Sequence, residues 1–133
     1  MSNGRRALVA AHGDLAAGLV GAVARIAGAA AAAHLVPMSN VSLGGAEITD
    51  AMRQAVASSG ATVVFTDLPA GSCTIAARRV AREVPGLAVV CGVNLPALLS
   101  FVLAPTDRAT AVRDALDKGR AAMILVEEGA RGD

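Results

Sequence analysis

The sequence predicts a single α/β domain built on a doubly wound, mostly parallel β-sheet. Short apolar runs that suit buried strands alternate along the chain with stretches whose apolar residues recur at helical spacing. Strands that alternate with helices at this spacing form parallel sheets with right-handed crossovers. The length of 133 residues is sufficient for one such domain with its own hydrophobic core.

The first half of the chain supplies two predicted strands and two predicted helices. The opening run, ALVAA, is entirely apolar, as expected for a strand buried on both faces. Gly28 and Gly60 end the two helices, and Pro37 indicates that the second strand either ends there or lies near an edge of the sheet. The predicted elements are a strand over 7–11, a helix over 14–27, a weaker strand over 33–38 and a helix over 46–59.

The second half is predicted to contain three strands and three helices. β-branched and aromatic residues make ATVVFTD the clearest strand of the chain. Ser72 is expected to cap the helix after it, and Thr106 to cap the last helix. The predicted elements are strands over 61–67, 87–92 and 121–129, and helices over 73–84, from near Pro96 to 104, and over 106–120.

Composition argues against several classes of function. The 12 Lys and Arg nearly balance the 11 Asp and Glu, and Phe65 and Phe101 are the only aromatic residues, so nucleic-acid binding is not expected. The uncharged window between Glu83 and Asp107 is interrupted by glycine and proline, unlike a membrane span. The apolar run before His12 is too short for a signal peptide, which favours the cytoplasm.

Several kinds of cofactor and catalytic site are also not predicted. The two cysteines and two histidines lack the spacing of a metal site, and the cysteines suit free thiols in a reducing compartment. P-loop, dinucleotide-binding and serine-hydrolase motifs are absent from the sequence. No cofactor or metal is therefore expected.

Polar residues end three of the predicted strands. His12 follows the first strand, Thr66 and Asp67 end the third, and Asn94 follows the fourth. In a flavodoxin-like sheet of order 2-1-3-4, the first and third strands are neighbours, and ligands bind where the connections from these two strands diverge. This topology predicts that His12 lies beside Asp67.

A histidine beside a carboxylate suits phosphoryl transfer. The carboxylate fixes the tautomer by accepting the proton of one ring nitrogen, and the other nitrogen becomes the nucleophile. Backbone N–H groups and a helix N-terminus would bind the phosphoryl oxygens, where the charge of the transition state lies. The predicted catalytic residues are His12 and Asp67, the predicted phosphoryl-binding residues are Gly13, Gly71 and Ser72, and Thr66 and Asn94 are predicted to line the site further.

Both catalytic candidates also have ordinary structural explanations. A histidine after a buried strand is often a polar residue hydrogen-bonded to a neighbouring carbonyl. An aspartate in the position of Asp67 is often a turn or cap residue. The predicted pairing across the sheet favours the functional interpretation.

Three segments together resemble the mannose-type IIA domains of the bacterial phosphotransferase system (PTS) for sugar uptake. They are LVAAHGDLAAGL, VVFTDLPAGSCTIAA and VVCGVNLPALLSFV, and the resemblance extends over residues 7–126. It implies that the phosphocarrier protein HPr phosphorylates His12 on Nε2, and that the group passes to a IIB domain serving a membrane permease. Asp67 would orient His12, and Ser72 would lie beside the phosphoryl group. The membrane would be involved only through the permease.

The resemblance also implies a homodimer. A fifth, antiparallel edge strand, about Ala122 to Val126, would cross to the sheet of the partner chain. One turn departs from the family pattern of G-G-S-P followed two residues later by Asn: here it is Ala70-Gly71-Ser72-Cys73, with Ile75 at the Asn position.

Two other functions stay open from the sequence. The first is a regulatory module that His12 phosphorylation switches between protein partners, which needs the same His–Asp pair. The second is a flavodoxin-like ligand-binding domain without phosphoryl chemistry, in which His12 would be replaceable. The sugar and the particular IIB partner are not specified by these residues.

Overall fold

The computed structural model describes residues 5–129, which form a four-stranded, all-parallel sheet and six helices. The strands lie in the order β2-β1-β3-β4, so the predicted α/β class and the 2-1-3-4 order of the first four strands are confirmed. The strands are β1 (Ala7–Ala11), β2 (Leu35–Ser39), β3 (Val63–Thr66) and β4 (Ala88–Cys91). The helices are α1 (Leu15–Ala27), α2 (Ala29–Ala32), α3 (Gly45–Ser59), α4 (Ser72–Glu83), α5 (Leu95–Leu103) and α6 (Arg108–Ala121).

The strand positions follow from residue type. Every residue of β1 and β3 is buried, because both strands are central and covered by helices on both faces. β2 lies at one edge, where Pro37 pairs with Val9 of β1 and its missing N–H costs no hydrogen bond to an outer strand. Of the two interpretations of Pro37, the edge position is confirmed, whereas the strand does not end at Pro37 but continues to Ser39.

Two apolar clusters cover the two faces of the sheet. On one face, β1 and β3 pack against α1, α5 and α6, and the rings of Phe65 and Phe101 meet edge to face with centroids 5.4 Å apart. On the other face, Leu8 and Val64 pack against α3 and α4. Between residues 5 and 129, no helix has the length and apolarity needed to cross a membrane.

Both predicted helix caps are wrong. Ser72 is the first residue of α4 rather than its cap, because Gly71 holds the cap position with φ +136°, a conformation that favours glycine. Asp107 rather than Thr106 caps α6, since its carboxylate accepts a 2.8 Å hydrogen bond from the N–H of Thr110. The alanine run after Gly28, for which no element was predicted, forms the short helix α2.

The predicted fifth strand is not formed within the single chain. α6 ends at Ala121, and residues 123–128 have no regular secondary structure. A strand requires hydrogen bonds to a neighbouring strand, and the described sheet consists of four strands only. The apolar side chains of this segment are 59 to 86% exposed; they are Met123, Ile124, Leu125 and Val126.

Candidate active site

The candidate site lies at the carboxyl edge of the sheet, between β1 and β3. The chain leaves β1 toward α1 on one face and leaves β3 toward α4 on the other, which opens a crevice between the two connections. His12 is the first residue after β1, and Asp67 is the first residue after β3. The structure therefore brings these two predicted residues together, although 55 positions separate them in the chain.

Asp67 holds His12 through two hydrogen bonds to one carboxylate oxygen. Oδ2 lies 2.7 Å from the ring Nδ1 and accepts a second bond, 2.9 Å long, from the backbone N–H of His12. An ionised carboxylate only accepts hydrogen bonds, so Nδ1 carries the ring proton and Nε2 keeps its lone pair. The His12 side chain is 49% exposed and that of Asp67 only 9%, so the ring can meet a partner while its anchor is covered.

The same contacts keep Asp67 ionised. Partial burial by itself raises the pKa of the carboxyl group, but the hydrogen bonds from the His12 backbone and ring outweigh it. The pKa of Asp67 therefore lies below its ordinary value of 3.8. At neutral pH the site contains a fixed negative charge that can stabilise a cationic imidazole ring.

The N-terminus of α4 approaches the ring of His12 closely. A Cβ atom placed on Gly71 would lie 3.6 Å from His12 Cε1 and 3.8 Å from Leu68 Cδ1. The N–H groups in the first turn of a helix lack partners inside the helix and form its positive end. The N-terminus of α4, formed by Gly71 and Ser72, therefore lies close to the ring of His12.

Asn40 is a site residue that the sequence reasoning missed. Its Oδ1 accepts a hydrogen bond from the N–H of Gly13, and its Nδ2 donates to Ser72 Oγ, each over 3.3 Å. Asn40 directly follows β2, the neighbour of β1. The predicted strand order could have revealed it, since the loop after β2 opens on the same edge of the sheet as the loop after β1.

Thr66 and Asn94 have their polar atoms engaged away from the His12 ring. Thr66 is fully buried, and its Oγ1 lies 2.7 Å from Thr74 Oγ1, which ties β3 to α4 beneath the site. Asn94 caps α5 by accepting a 3.0 Å hydrogen bond from the N–H of Ala97, and it donates a 2.8 Å bond to the carbonyl of Gly119 in α6. Both residues support the elements around the crevice.

Exposed apolar side chains adjoin the site residues along the chain. Leu68 follows Asp67 directly, and the others sit in the first turns of α1 and α4 or beside Asn40. Exposed apolar residues next to a polar site are typical of protein–protein contacts. This apolar rim consists of Leu15, Val41, Leu68 and Ile75, which are 47 to 60% exposed.

The described residues do not gather into a metal centre. Cys73 and Cys91 are both free thiols, and Cys73 is buried in the core. Across residues 5–129, no three His, Cys, Asp or Glu side chains group together as metal ligands would.

The fold and the site define a flavodoxin-like α/β domain that displays a carboxylate-anchored histidine at the switch point of its sheet. A family model described as "PTS system fructose IIA component" (EIIA-man) matches residues 6–118. The chain therefore belongs to the EIIA-man family of PTS sugar-transport components, which confirms the resemblance inferred from its three segments. A search of curated proteins returned no match.

Solved structures of IIA proteins have the same fold. The mannose/sorbose-specific IIA subunit from Enterococcus faecalis superposes with a TM-score of 0.82 at 20% identity, over 96% of this chain and 98% of that one. The EIIA component from Streptococcus agalactiae gives 0.76 at 18% identity, over 90% and 95%. A PTS IIA protein associated with the fucose utilization operon of Streptococcus pneumoniae gives 0.71 at 20%, over 84% and 88%.

Proposed function

We propose that this chain is a cytoplasmic phosphohistidine carrier that accepts a phosphoryl group from HPr on His12 and passes it to a IIB component during sugar uptake. One observation carries the proposal: the 2.7 Å contact between His12 Nδ1 and Asp67 Oδ2, in a ring that is half exposed. This contact leaves Nε2 as the nucleophilic nitrogen. Membership of the EIIA-man family supports the same chemistry.

Phosphorylation of His12 by HPr exchanges one P–N bond for another. The lone pair of His12 Nε2 attacks the phosphorus of phosphorylated HPr, the new Nε2–P bond forms, and the bond to the histidine of HPr breaks. The proton on Nδ1 stays in place, so the phosphorylated ring becomes cationic, and the Asp67 carboxylate stabilises it. In the second transfer, a nucleophilic side chain of the IIB component forms a bond to the phosphorus and the Nε2–P bond breaks, which returns His12 to its neutral form.

The phosphoryl oxygens would be bound at the start of α4. Gly71 has no side chain between the helix N-terminus and the His12 ring, and Ser72 adds a hydroxyl group at the first helical position. Gly13 lies in the turn after His12, but its backbone N–H already donates to Asn40 Oδ1, so the phosphoryl-binding donors proposed here are those of Gly71 and Ser72. Hydrogen-bond donors that are already in position are the main contribution a protein makes to phosphoryl transfer, because the charge of the transition state lies on the phosphoryl oxygens.

Protein partners would use the exposed surface around His12. The apolar rim is suited to HPr and the IIB component in turn, since both must bring their own reactive group to Nε2. A second copy of the chain would cover the exposed segment 123–126, giving the homodimer with an exchanged, antiparallel fifth strand. Contact with the membrane would occur only through the permease.

Phosphorylation of intact protein tests the proposal directly. The chain is mixed with enzyme I, HPr and phosphoenolpyruvate, and its mass is followed under non-acidic conditions. We expect the wild type to gain one phosphoryl group and the His12→Ala variant to gain none. His34→Ala is the matched control, because His34 precedes β2 and so lies at the opposite edge of the sheet from the site.

The outcomes separate the candidate functions. Phosphorylation of wild type and His34→Ala alone, followed by loss of the group on addition of a IIB component, supports a carrier. A phosphorylated form that no IIB component discharges would instead favour the regulatory module. No gain of mass, with HPr itself phosphorylated, would contradict the proposal and favour a ligand-binding domain.

A further inference from the structure

Asn40 links the two loops that carry the predicted phosphoryl-binding groups. Its Oδ1 accepts from Gly13 N–H and its Nδ2 donates to Ser72 Oγ, so one amide spans the turn after β1 and the start of α4. We propose that Asn40 is a positioning residue for phosphoryl transfer, which orients the Ser72 hydroxyl toward a phosphoryl group on His12. The inference rests on the proposed function and assigns a role that neither the family pattern nor the sequence reasoning supplied.

The backbone of Asn40 is itself fixed. Its N–H donates to the carbonyl of Ala11 at 3.3 Å, and its carbonyl accepts from the N–H of Leu43 at 3.1 Å. The first bond extends the pairing of β2 with β1 by one residue. The backbone of Asn40 is therefore hydrogen-bonded to β1, the strand that ends just before His12. This fixes the position from which the side-chain amide of Asn40 reaches Gly13.

The chemistry of the two partners fixes which way the amide faces. The N–H of Gly13 can only donate, so the oxygen of the Asn40 amide must face it and the NH₂ group must face Ser72. Ser72 Oγ consequently accepts from Asn40. A hydroxyl that accepts from one side keeps its own hydrogen to donate elsewhere, and here that hydrogen becomes available to an oxygen of the phosphoryl group.

The lengths of the two Asn40 side-chain hydrogen bonds are those expected of a site without its phosphoryl group. Both are 3.3 Å, at the long end for neutral hydrogen bonds. Catalytic hydrogen bonds in unliganded sites are often long and tighten only in the reacting complex. The negative phosphoryl group would draw the Ser72 hydroxyl toward itself and make its oxygen a better acceptor for Asn40, since linked hydrogen bonds polarise one another.

Replacing the side-chain amide of Asn40 by a carboxylate of nearly the same shape reverses the direction of the hydrogen bond between residue 40 and Ser72. The carboxylate of an Asn40→Asp variant still accepts from Gly13, but it cannot donate to Ser72. The Ser72 hydroxyl would then donate to the carboxylate and turn its hydrogen away from the phosphoryl group. Asn40→Ala removes both contacts without adding charge.

Single-turnover transfer from phosphorylated HPr tests the inference. We expect Asn40→Asp to slow the transfer step about 10- to 100-fold and Asn40→Ala about 10-fold, the range for the residues that orient the ligands of metal sites through hydrogen bonds, with the half-saturating concentration of HPr unchanged. Ser39→Ala is the control at the adjacent residue, the last of β2, because it removes a 3.1 Å bond from the N–H of Val41 without touching Gly13 or Ser72. Thermal midpoints of all the variants identify any loss of folding.

A double-mutant cycle with Ser72→Ala separates orientation from other causes. If Asn40 acts through Ser72, most of the loss caused by Asn40→Asp or Asn40→Ala disappears once the hydroxyl is gone. Repulsion by the new charge, or a general loosening of the loop, would persist in the Ser72→Ala background. Full persistence, or variants that transfer as fast as wild type, overturns the role of Asn40. Failure of the wild type itself to accept phosphate overturns the proposed function as well.

Discussion

At His12 one ring nitrogen is held in place by the neighbouring aspartate. Nδ1 is held against a covered carboxylate, and the same carboxylate oxygen binds the backbone N–H of His12. Rotation of the ring would therefore break one contact, and movement of the backbone would break the other. A nucleophile that is already oriented avoids part of the entropy cost of reaching the transition state.

Removing the charge of Asp67 should slow transfer without removing the histidine. We expect Asp67→Asn to reduce the single-turnover rate about 10- to 100-fold, because the amide neither stabilises the cationic ring as well nor fixes one tautomer. Asp14→Asn is the matched control: Asp14 is an exposed carboxylate two residues from His12 whose side chain makes no cap hydrogen bond. Equal losses in both variants would show that only the general negative charge matters.

The lowered pKa of Asp67 also predicts a dependence of stability on pH. A carboxyl group whose pKa is lower in the folded state stabilises the fold fully above its ordinary value of 3.8, and the stabilisation is lost as the pH falls through the lower folded pKa. Urea unfolding should show wild type more stable than Asp67→Asn at pH 6, with the gap closing in acid below 3.8. A gap that stays constant across this range would contradict the assignment.

At the scale of elements, the sheet could be predicted and the details of its loops could not. The apolar runs of β1 and β3 and the alternation with helices specify a parallel sheet, and the sheet order then places His12 beside Asp67. The helix caps were predicted wrongly because several residues near each helix start are suited to the cap position. At α4 the cap is Gly71 rather than Ser72, since the backbone there has a positive φ, which favours glycine. Asn40 was not predicted because an amide in a polar loop has no recognisable pattern of its own; only its place after β2, the neighbour of β1, indicates that it opens on the site.

The contact between α5 and α6 depends on a glycine. A Cβ on Gly119 would lie 2.9 Å from the Cβ of Ala97 and 3.0 Å from Oδ1 of Asn94, the residue that caps α5. We expect Gly119→Ala to lower the free energy of unfolding by about 1–3 kcal/mol, the usual cost of overpacking, as measured by urea denaturation.

A glycine in open space provides the control for that measurement. Gly21 lies inside α1 with nothing within 4 Å of an added Cβ. Gly21→Ala should therefore stabilise the chain by about 0.5–1 kcal/mol through helix propensity alone. If Gly119→Ala stabilised the chain to the same degree, the close packing of α5 on α6 would not hold in solution.

On the scale of the whole molecule, the segment 123–126 differs from the core in that its apolar side chains are exposed. Residues 123–126 are four consecutive apolar residues, all largely exposed in the single chain. The resemblance to the family assigns this segment to a strand, yet a strand forms only against a partner. The sequence could therefore suggest the strand, whereas residues 123–128 of the single chain have no regular secondary structure.

Oligomeric state provides the test at this scale. We expect wild type to sediment as a dimer and Leu125→Lys to dissociate at least about 100-fold more readily, since burying one leucine contributes about 1.5–3 kcal/mol and two-fold symmetry repeats the loss. Ile26→Lys, at a 62% exposed position on α1, is the matched control and should remain dimeric. A wild type that sediments as a monomer at every concentration, or a Leu125→Lys variant that dimerises as wild type does, would show that this segment does not join two chains.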